Sequence, residues 1–262
     1  MRRLLIRPGG IGDVIVSLPA LESLRADYLE IWVAEQNVPL IRFADAVHSL
    51  GSTGLDMLEF ADAPKLVERL RSFDSIISWY GSTRPEFRDT VDRLGLPFRF
   101  LPALPDNKGH AIDFYLNQVE ASEPRPLGSV LLGPASHLRE DHAVIHPFAS
   151  SPQKRWPLDK FREVARRLKM AVRWCAGPEE DLPEAVRMNN LYDLACWLAR
   201  ARLYIGNDSG ISHLAAAVGT PAIVLFGPTD PAVWAPRGSR VLFPMDKIEP
   251  ADVVELADGL LH

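Results

Sequence analysis

Short apolar runs alternate along this chain with stretches in which apolar residues return every three or four positions. The first pattern predicts buried strands and the second amphipathic helices. Leu4 to Arg7 reads as a strand, followed by the turn Pro8-Gly9-Gly10-Ile11-Gly12-Asp13. A helix follows from Val14 to Ala26, apolar at Val14, Leu18, Leu21 and Leu24, with Pro19 able to bend it early. Ile31 to Ala34 and Val47 to Leu50 read as strands, with a short helix at Val38 to Phe43 between them. Pro64 to Arg71 is helical, Ile76 to Trp79 is a buried strand ended by Gly81-Ser82, and Arg88 to Leu94 and Ala111 to Val119 are helical. The pattern breaks at Glu123-Pro124-Arg125-Pro126-Leu127-Gly128, the start of a linker. Beyond it, Val144 to His146 and Val172 to Ala176 read as strands and Leu158 to Leu168 as a helix. A last helix, Asp252 to Leu261, is expected to cross back towards the first half. Strands alternating with helices imply mostly parallel, doubly wound sheets. The break divides the chain into domains over residues 1–130 and 131–262.

One stretch is more pointed than the rest. In Ala201 to Pro231, the apolar run Leu203-Tyr204-Ile205 ends at Gly206, and Asn207-Asp208-Ser209-Gly210 makes a polar turn. An alanine-rich helix from Ile211 to Val218 follows, with Asp208 or Ser209 as its N-cap and Gly219 and Pro221 as its stop. The next strand, Ala222 to Phe226, leaves through Gly227-Pro228-Thr229-Asp230-Pro231. A polar turn at the end of a strand directs backbone N–H groups and a helix dipole into one crevice, an arrangement that suits a phosphate or diphosphate. His213, one turn into the helix, can face the same crevice. An ordinary capped strand-helix-strand unit is the equal alternative.

Composition narrows the classes. With 262 residues, 47% hydrophobic and 24% charged, the chain suits one large or two modest soluble domains, and a net charge of −5 speaks against a nucleic-acid partner. Cys175 and Cys196 are too few for a disulfide framework and read as buried free thiols in a reducing compartment. Met1-Arg2-Arg3-Leu4-Leu5-Ile6 resembles a secretory start, but Arg7 interrupts the apolar run too early. No apolar segment approaches a membrane span. The expectation is a cytoplasmic protein, with peripheral contact at the inner membrane left open.

Several side chains can carry chemistry. The glycine turn at Gly10 and Gly12 admits a dinucleotide reading with Glu35 on a ribose, but Ile15 stands where the third glycine belongs. From the residues alone Asp13 reads first as a helix cap, and second as a carboxylate able to take a proton. In His146-Pro147-Phe148-Ala149-Ser150-Ser151-Pro152-Gln153-Lys154-Arg155-Trp156-Pro157, Ser150 can hydrogen-bond a phosphate oxygen and Lys154 can neutralise a leaving diphosphate. Arg155 reads as a surface or structural cation and Trp156 as core. His137, His142 and His146 read as surface or strand histidines, and no metal is expected. Asp-x-Asp, nucleophile-elbow and Walker A patterns are all absent.

The segment Gly206-Asn207-Asp208-Ser209-Gly210-Ile211-Ser212-His213, continuing to Phe226-Gly227-Pro228-Thr229-Asp230-Pro231, resembles the C-terminal motif of glycosyltransferase family 9. These are the heptosyltransferases of lipopolysaccharide assembly and their relatives. The Gly12-Asp13 pair with Leu18-Pro19, and the Lys154-Arg155-Trp156-Pro157 run, resemble two further motifs of that family. The resemblance implies a GT-B fold, two Rossmann-like domains facing each other across a cleft, with the acceptor on the first and the nucleotide sugar on the second. It implies an inverting, metal-independent transfer from a nucleotide-diphosphate sugar, ADP-heptose being the best-known case, to a glycan or glycolipid such as a lipopolysaccharide core. It makes Asp13 the catalytic base. It gives the donor to Gly10, Gly12, Ser150, Lys154, Asp208, Ser209, Gly210, His213 and Thr229, with Glu180 (or its neighbour Glu179) on the ribose. The chain is short for the family between Trp79 and Ala111, where Arg84, Arg88 and Lys108 form either a solvated face or an anion receiver. A nucleotide-sugar-binding protein without transfer activity, and a sugar-nucleotide epimerase or hydrolase on the same scaffold, are the alternatives.

Overall fold

The structure is a computed structural model that describes all residues but 61, 62, 107, 122, 123, 133–137 and 262. Glu123 and His137, named above, thus lie outside the described residues. The chain forms two compact units, Met1–Pro126 and Leu127–His262. Each is an α/β unit on a parallel five-stranded sheet.

The first unit runs β1 (Arg2–Arg7), α1 (Ile11–Ser23), β2 (Tyr28–Val33), β3 (Ala46–Ser49), α2 (Pro64–Arg71), β4 (Ser75–Ser78), α3 (Pro85–Arg93), β5 (Phe98–Phe100) and α4 (Ala111–Gln118). Its strand order is β3-β2-β1-β4-β5. Alternation along the strands divides the burial. Leu4, Ile6, Trp32 and Ile76 turn to one face and pack with Leu66 and Leu70 of α2 and Phe87 and Val91 of α3. α1 and α4 pack on each other. The helix expected at Val38 to Phe43 is a 3₁₀ turn at Glu35–Leu40, since Pro39 withholds a backbone donor. Pro19 sits inside a continuous α1.

The second unit runs α5 (Leu127–Leu132), β6 (Glu140–His146), α6 (Leu158–Arg167), β7 (Ala171–Trp174), α7 (Leu191–Ala199), β8 (Ala201–Asn207), α8 (Gly210–Ala217), β9 (Ala222–Leu225), α9 (Pro231–Trp234), β10 (Arg240–Leu242) and α10 (Pro250–Leu261). Its order is β10-β9-β8-β6-β7. Ala143 and Ile145, Leu203 and Ile205, and Ile223 and Leu225 share a core with Trp156, Phe161 and Val164 on one side, joined by Val253 and Ala257 of α10. α7 and α8 pack on β8 from the other side. The last helix belongs to the second unit. Its apolar stripe is taken up by α6, β8 and β9 of its own unit. Cys175 is buried as expected, whereas Cys196 is half-buried. Burial, with help from the Glu180 charge, pushes the Cys175 thiol up to about 12.

Candidate active site

Strand order fixes where ligands can enter. β1 has β2 on one side and β4 on the other, and β6 likewise stands between β7 and β8. The chain leaves β1 and β6 in one direction and returns on the opposite side. Such a switch opens a crevice beyond the carboxyl ends of β1 and β4 in the first unit, and of β6 and β8 in the second.

In the second unit, the β6 and β8 loops are stitched together by Asn207, the fully buried last residue of β8. Its Nδ2 donates to the Pro147 carbonyl at 2.8 Å, and its Oδ1 accepts from the Trp156 amide at 3.1 Å. Trp156 is sunk into the core, edge-on to Phe161 at 5.0 Å, so the loop between these anchors is held at both ends. That loop carries Lys154, whose Nζ donates to Asp208 Oδ2 at 2.6 Å. The Lys154 side chain is 27% exposed and that of Asp208 only 6%, so the cation is the more accessible partner. Arg155 turns back to the Ala149 carbonyl at 2.8 Å, the structural part expected of it.

Next to the ion pair, Ser209 adopts extended backbone and caps α8, its Oγ accepting from the Ser212 amide at 3.4 Å. The amides of Gly210 and Ile211, in the first turn, have no carbonyl four residues back within the helix, and the dipole adds partial positive charge there. Beneath the turn lies a hydroxyl chain. Tyr204 Oη is 3.0 Å from Ser212 Oγ, which is 3.3 Å from Ser209 Oγ and donates to the Asn207 carbonyl. Gly206 has to be glycine here, because a Cβ would collide with the Tyr204 hydroxyl. His213 is buried in the same helix turn. Ser150 is exposed and Thr229 half-buried, on the loops after β6 and β9. Among the described residues, no hydrogen bond ties the Ser150 or Thr229 side chain to the ion pair. A pocket of about 550 Å³ on the α6 side is lined by Trp156, Lys160, Gly227, Pro228 and Met245, and none of the anticipated site residues lines it.

Glu180 stands beyond β7, beside β6. Its Oε2 accepts from the Gly177 amide at 2.6 Å and lies 3.1 Å from His146 Nε2. Burial raises the Glu180 carboxyl, but the His146 hydrogen bond and charge, the Gly177 amide and the Arg155 guanidinium outweigh it and hold it below the ordinary value. His146 is a strand histidine, as expected, though a buried one.

In the first unit, the glycine turn is gripped from below. Arg7 is 2% exposed, and among the described residues no carboxylate is bonded to it. It donates to the Pro8 carbonyl (2.7 Å), the Asp13 carbonyl (2.9 Å), Ser17 Oγ (3.0 Å) and Tyr115 Oη (2.9 Å). Burial lowers the guanidinium, against the pull of Tyr115 and Asp13. Asn37 Nδ2 donates to the Gly9 carbonyl at 3.1 Å. Gly9, at φ 117°, must lack a side chain, since a Cβ would lie 2.7 Å from that of Asp13. Asp13 Oδ2 accepts from the Gly10 amide at 2.9 Å, so the carboxylate caps α1 and engages the Gly10 donor, with half-buried Gly12 inside the first turn. Of the charges near the first crevice, Arg84 is paired with Glu59 and bonded to Tyr80 Oη at 2.6 Å, and Lys108 faces Asp106 at 3.7 Å. Arg88 lies over Phe100 at 5.2 Å.

The residues therefore form three groups: Gly10, Gly12 and Asp13 at the first crevice, Lys154 with Asp208, Ser209 and Gly210 at the second, and Glu180 one strand away from the latter. Sequence reasoning missed the residues that hold them: Arg7, Asn37, His146, Tyr204, Asn207 and Ser212. Among the described residues, no group of three or more His, Cys, Asp or Glu side chains is placed to hold a metal ion, and no helix is long and apolar enough to cross a membrane.

Known proteins share this framework. Lipopolysaccharide heptosyltransferase 1 of Salmonella typhimurium is 25% identical, over 92% of this chain and 92% of its own. The solved structure of the Escherichia coli heptosyltransferase WaaC with ADP-2-deoxy-2-fluoro heptose superposes with a TM-score of 0.71 at 19% identity, over 99% of each chain, which gives the fold as GT-B. A more distant structure, the iron-containing dodecameric glycosyltransferase TibC from enterotoxigenic E. coli, has a TM-score of 0.59 at 14% identity over 95% of this chain and 64% of its own. The model of glycosyltransferase family 9 (heptosyltransferase) matches residues 113–251, more than half of the sequence, and the chain belongs to that family of glycosyltransferases.

Proposed function

We propose that the protein transfers heptose from ADP-heptose to a lipopolysaccharide-core acceptor, with inversion at the anomeric carbon and without a metal. The observation that carries this reading is the Lys154–Asp208 pair beside the Ser209-capped start of α8. A half-exposed cation and a helix N-terminus at one switch-point crevice are suited to a diphosphate. As the bond from the anomeric carbon to the diphosphate oxygen breaks, negative charge grows on that oxygen, where Lys154 and the α8 amides offset it in place of a metal ion. Ser150 and Thr229 add donors from the flanking loops, Asp208 and His213 order the turn, and Glu180 takes the ribose.

The acceptor hydroxyl attacks from the opposite face and Asp13 takes its proton. Gly10 and Gly12 keep the backbone around that carboxylate slim. The first unit thus serves the acceptor and the second the donor. The acceptor being lipid-linked, the protein works as a peripheral enzyme at the cytoplasmic face of the inner membrane. The direct test is mass analysis of truncated lipopolysaccharide acceptors after incubation with ADP-heptose in EDTA. The expected result is one added heptose with the anomeric configuration inverted, and a kcat about 10²-fold or more lower for Asp13→Asn. Free heptose without a glycosylated acceptor would point to a hydrolase, and an isomerised but intact nucleotide sugar to an epimerase. A requirement for added metal would contradict the metal-free step.

A further inference from the structure

We propose that His146 is a positioning residue that sets the Glu180 carboxylate for a ribose diol, so that discrimination between ribose and deoxyribose in the bound nucleotide depends on it. The proposal rests on the donor-site reading above. Three observations carry it.

The first is the asymmetry of the carboxylate. Oε2 is doubly engaged, by the Gly177 amide and by His146 Nε2, while among the described residues no donor is bonded to Oε1. The Glu180 side chain is 25% exposed and that of His146 only 4%. One oxygen is fixed to the protein and the other is left to accept from something outside it.

The second is that the loop does not need this contact to hold its path. Arg187 Nη2 donates to the Glu180 and Leu182 carbonyls at 2.7 and 3.0 Å. The Val186 amide bonds the Trp174 carbonyl at 2.8 Å, and the Ala176 amide bonds the Val186 carbonyl at 3.2 Å. With the backbone secured, what the imidazole fixes is the direction of the carboxylate. Its own place is rigid: it closes β6, sits edge-on to Phe148 at 6.0 Å, and its buried Nδ1 has no partner among the described residues. Bonding through Nε2 alone, the ring has a single polar task.

The third is placement. β7 is the strand next to β6, and adjacent strands lie about 4.8 Å apart. On the donor-site reading, Glu180 at the end of β7 is therefore one strand away from the phosphates, within the span of a nucleoside diphosphate. A carboxylate oxygen accepts from hydroxyl groups and gains nothing from a dideoxyribose.

The experiment is isothermal titration of ADP and 2′,3′-dideoxy-ADP into the full chain, as wild type, His146→Leu, His146→Asn and His146→Gln. Wild type should prefer ADP by about tenfold or more, the worth of a hydrogen bond to a charged group. His146→Leu should weaken ADP to the level of the dideoxy compound while leaving the latter unchanged. His146→Asn, too short to reach Glu180, should do the same and serves if the leucine variant does not fold. His146→Gln, which can place an amide N–H near the Nε2 position, should restore most of the preference. An unchanged preference in the leucine or asparagine variant, or equal weakening of both nucleotides, would overturn the proposal while leaving the donor site standing. Wild type that binds neither nucleotide would overturn the donor-site reading and this proposal with it.

Discussion

The two switch-point crevices each hold a cation at the root of a polar loop, and they use it in opposite ways. In the first unit Arg7 is sealed below the turn, its donors divided among two carbonyls and two hydroxyls. Burying a guanidinium without a carboxylate is costly unless its donors are satisfied, and here each nitrogen is engaged by the turn, α1 or α4. In the second unit Lys154 lies at the surface of its loop and meets one carboxylate, Asp208. An ion pair with a single, replaceable partner can exchange that partner for a phosphate. A four-way clamp cannot. Arg7 thus belongs to the architecture of the Asp13 turn, and Lys154, the more exposed of the two, is the cation the proposed diphosphate site uses.

Substitution should separate the two. Arg7→Met removes the donor to the Pro8 carbonyl and the Tyr115 hydroxyl and one of the donors to the Asp13 carbonyl, and should lower stability by about 3–5 kcal/mol in urea unfolding. Adding Tyr115→Phe should not recover it. Lys154→Met should cost about 1–2 kcal/mol, because it strands the Asp208 carboxylate, and adding Asp208→Asn should recover most of that loss. If the Arg7 loss is rescued by one partner, or the Lys154 loss is not, the contrast between clamp and exchangeable pair fails.

A smaller effect tests whether the second sheet, apart from its crevice, is acid-sensitive. Burial, followed by the Arg173 charge, lowers the His142 imidazole on β6, against the pull of Glu140. The unfolded chain therefore binds this proton at higher pH than the folded one. The contribution is level above the unfolded value of about 6.5 and is lost as pH falls below it, until the folded-state value is passed. Stability of wild type should decline through that window more steeply than that of His142→Phe. Equal slopes would remove His142 from the account.

Much of this was legible in the chain. The alternation of apolar runs located the main strands, and the polar turn narrowed the cap of α8 to Asp208 or Ser209, of which the structure uses Ser209. β5, with Phe98-Arg99-Phe100, is too short to declare a period. α7 went unread despite its Asn190 cap, whose Oδ1 accepts from the Tyr192 amide at 2.8 Å. The supports of the site were illegible for another reason. Arg7 and Tyr115 are 108 positions apart, Lys154 and Asp208 are 54 apart, and His146 and Glu180 are 34 apart. Such pairs follow from sheet order, which local periodicity does not encode. Of the two readings of Asp13, the cap is the one the structure shows, its carboxylate accepting from the Gly10 amide.

The most direct measurement is ADP binding by calorimetry to wild type, Lys154→Ala and Asp13→Ala. The account predicts that wild type binds ADP, that Lys154→Ala weakens it about tenfold or more, and that Asp13→Ala binds as wild type does. Absence of ADP binding, binding of NAD in its place, or a loss in Asp13→Ala as large as in Lys154→Ala would contradict the assignment of the diphosphate to the β6–β8 crevice.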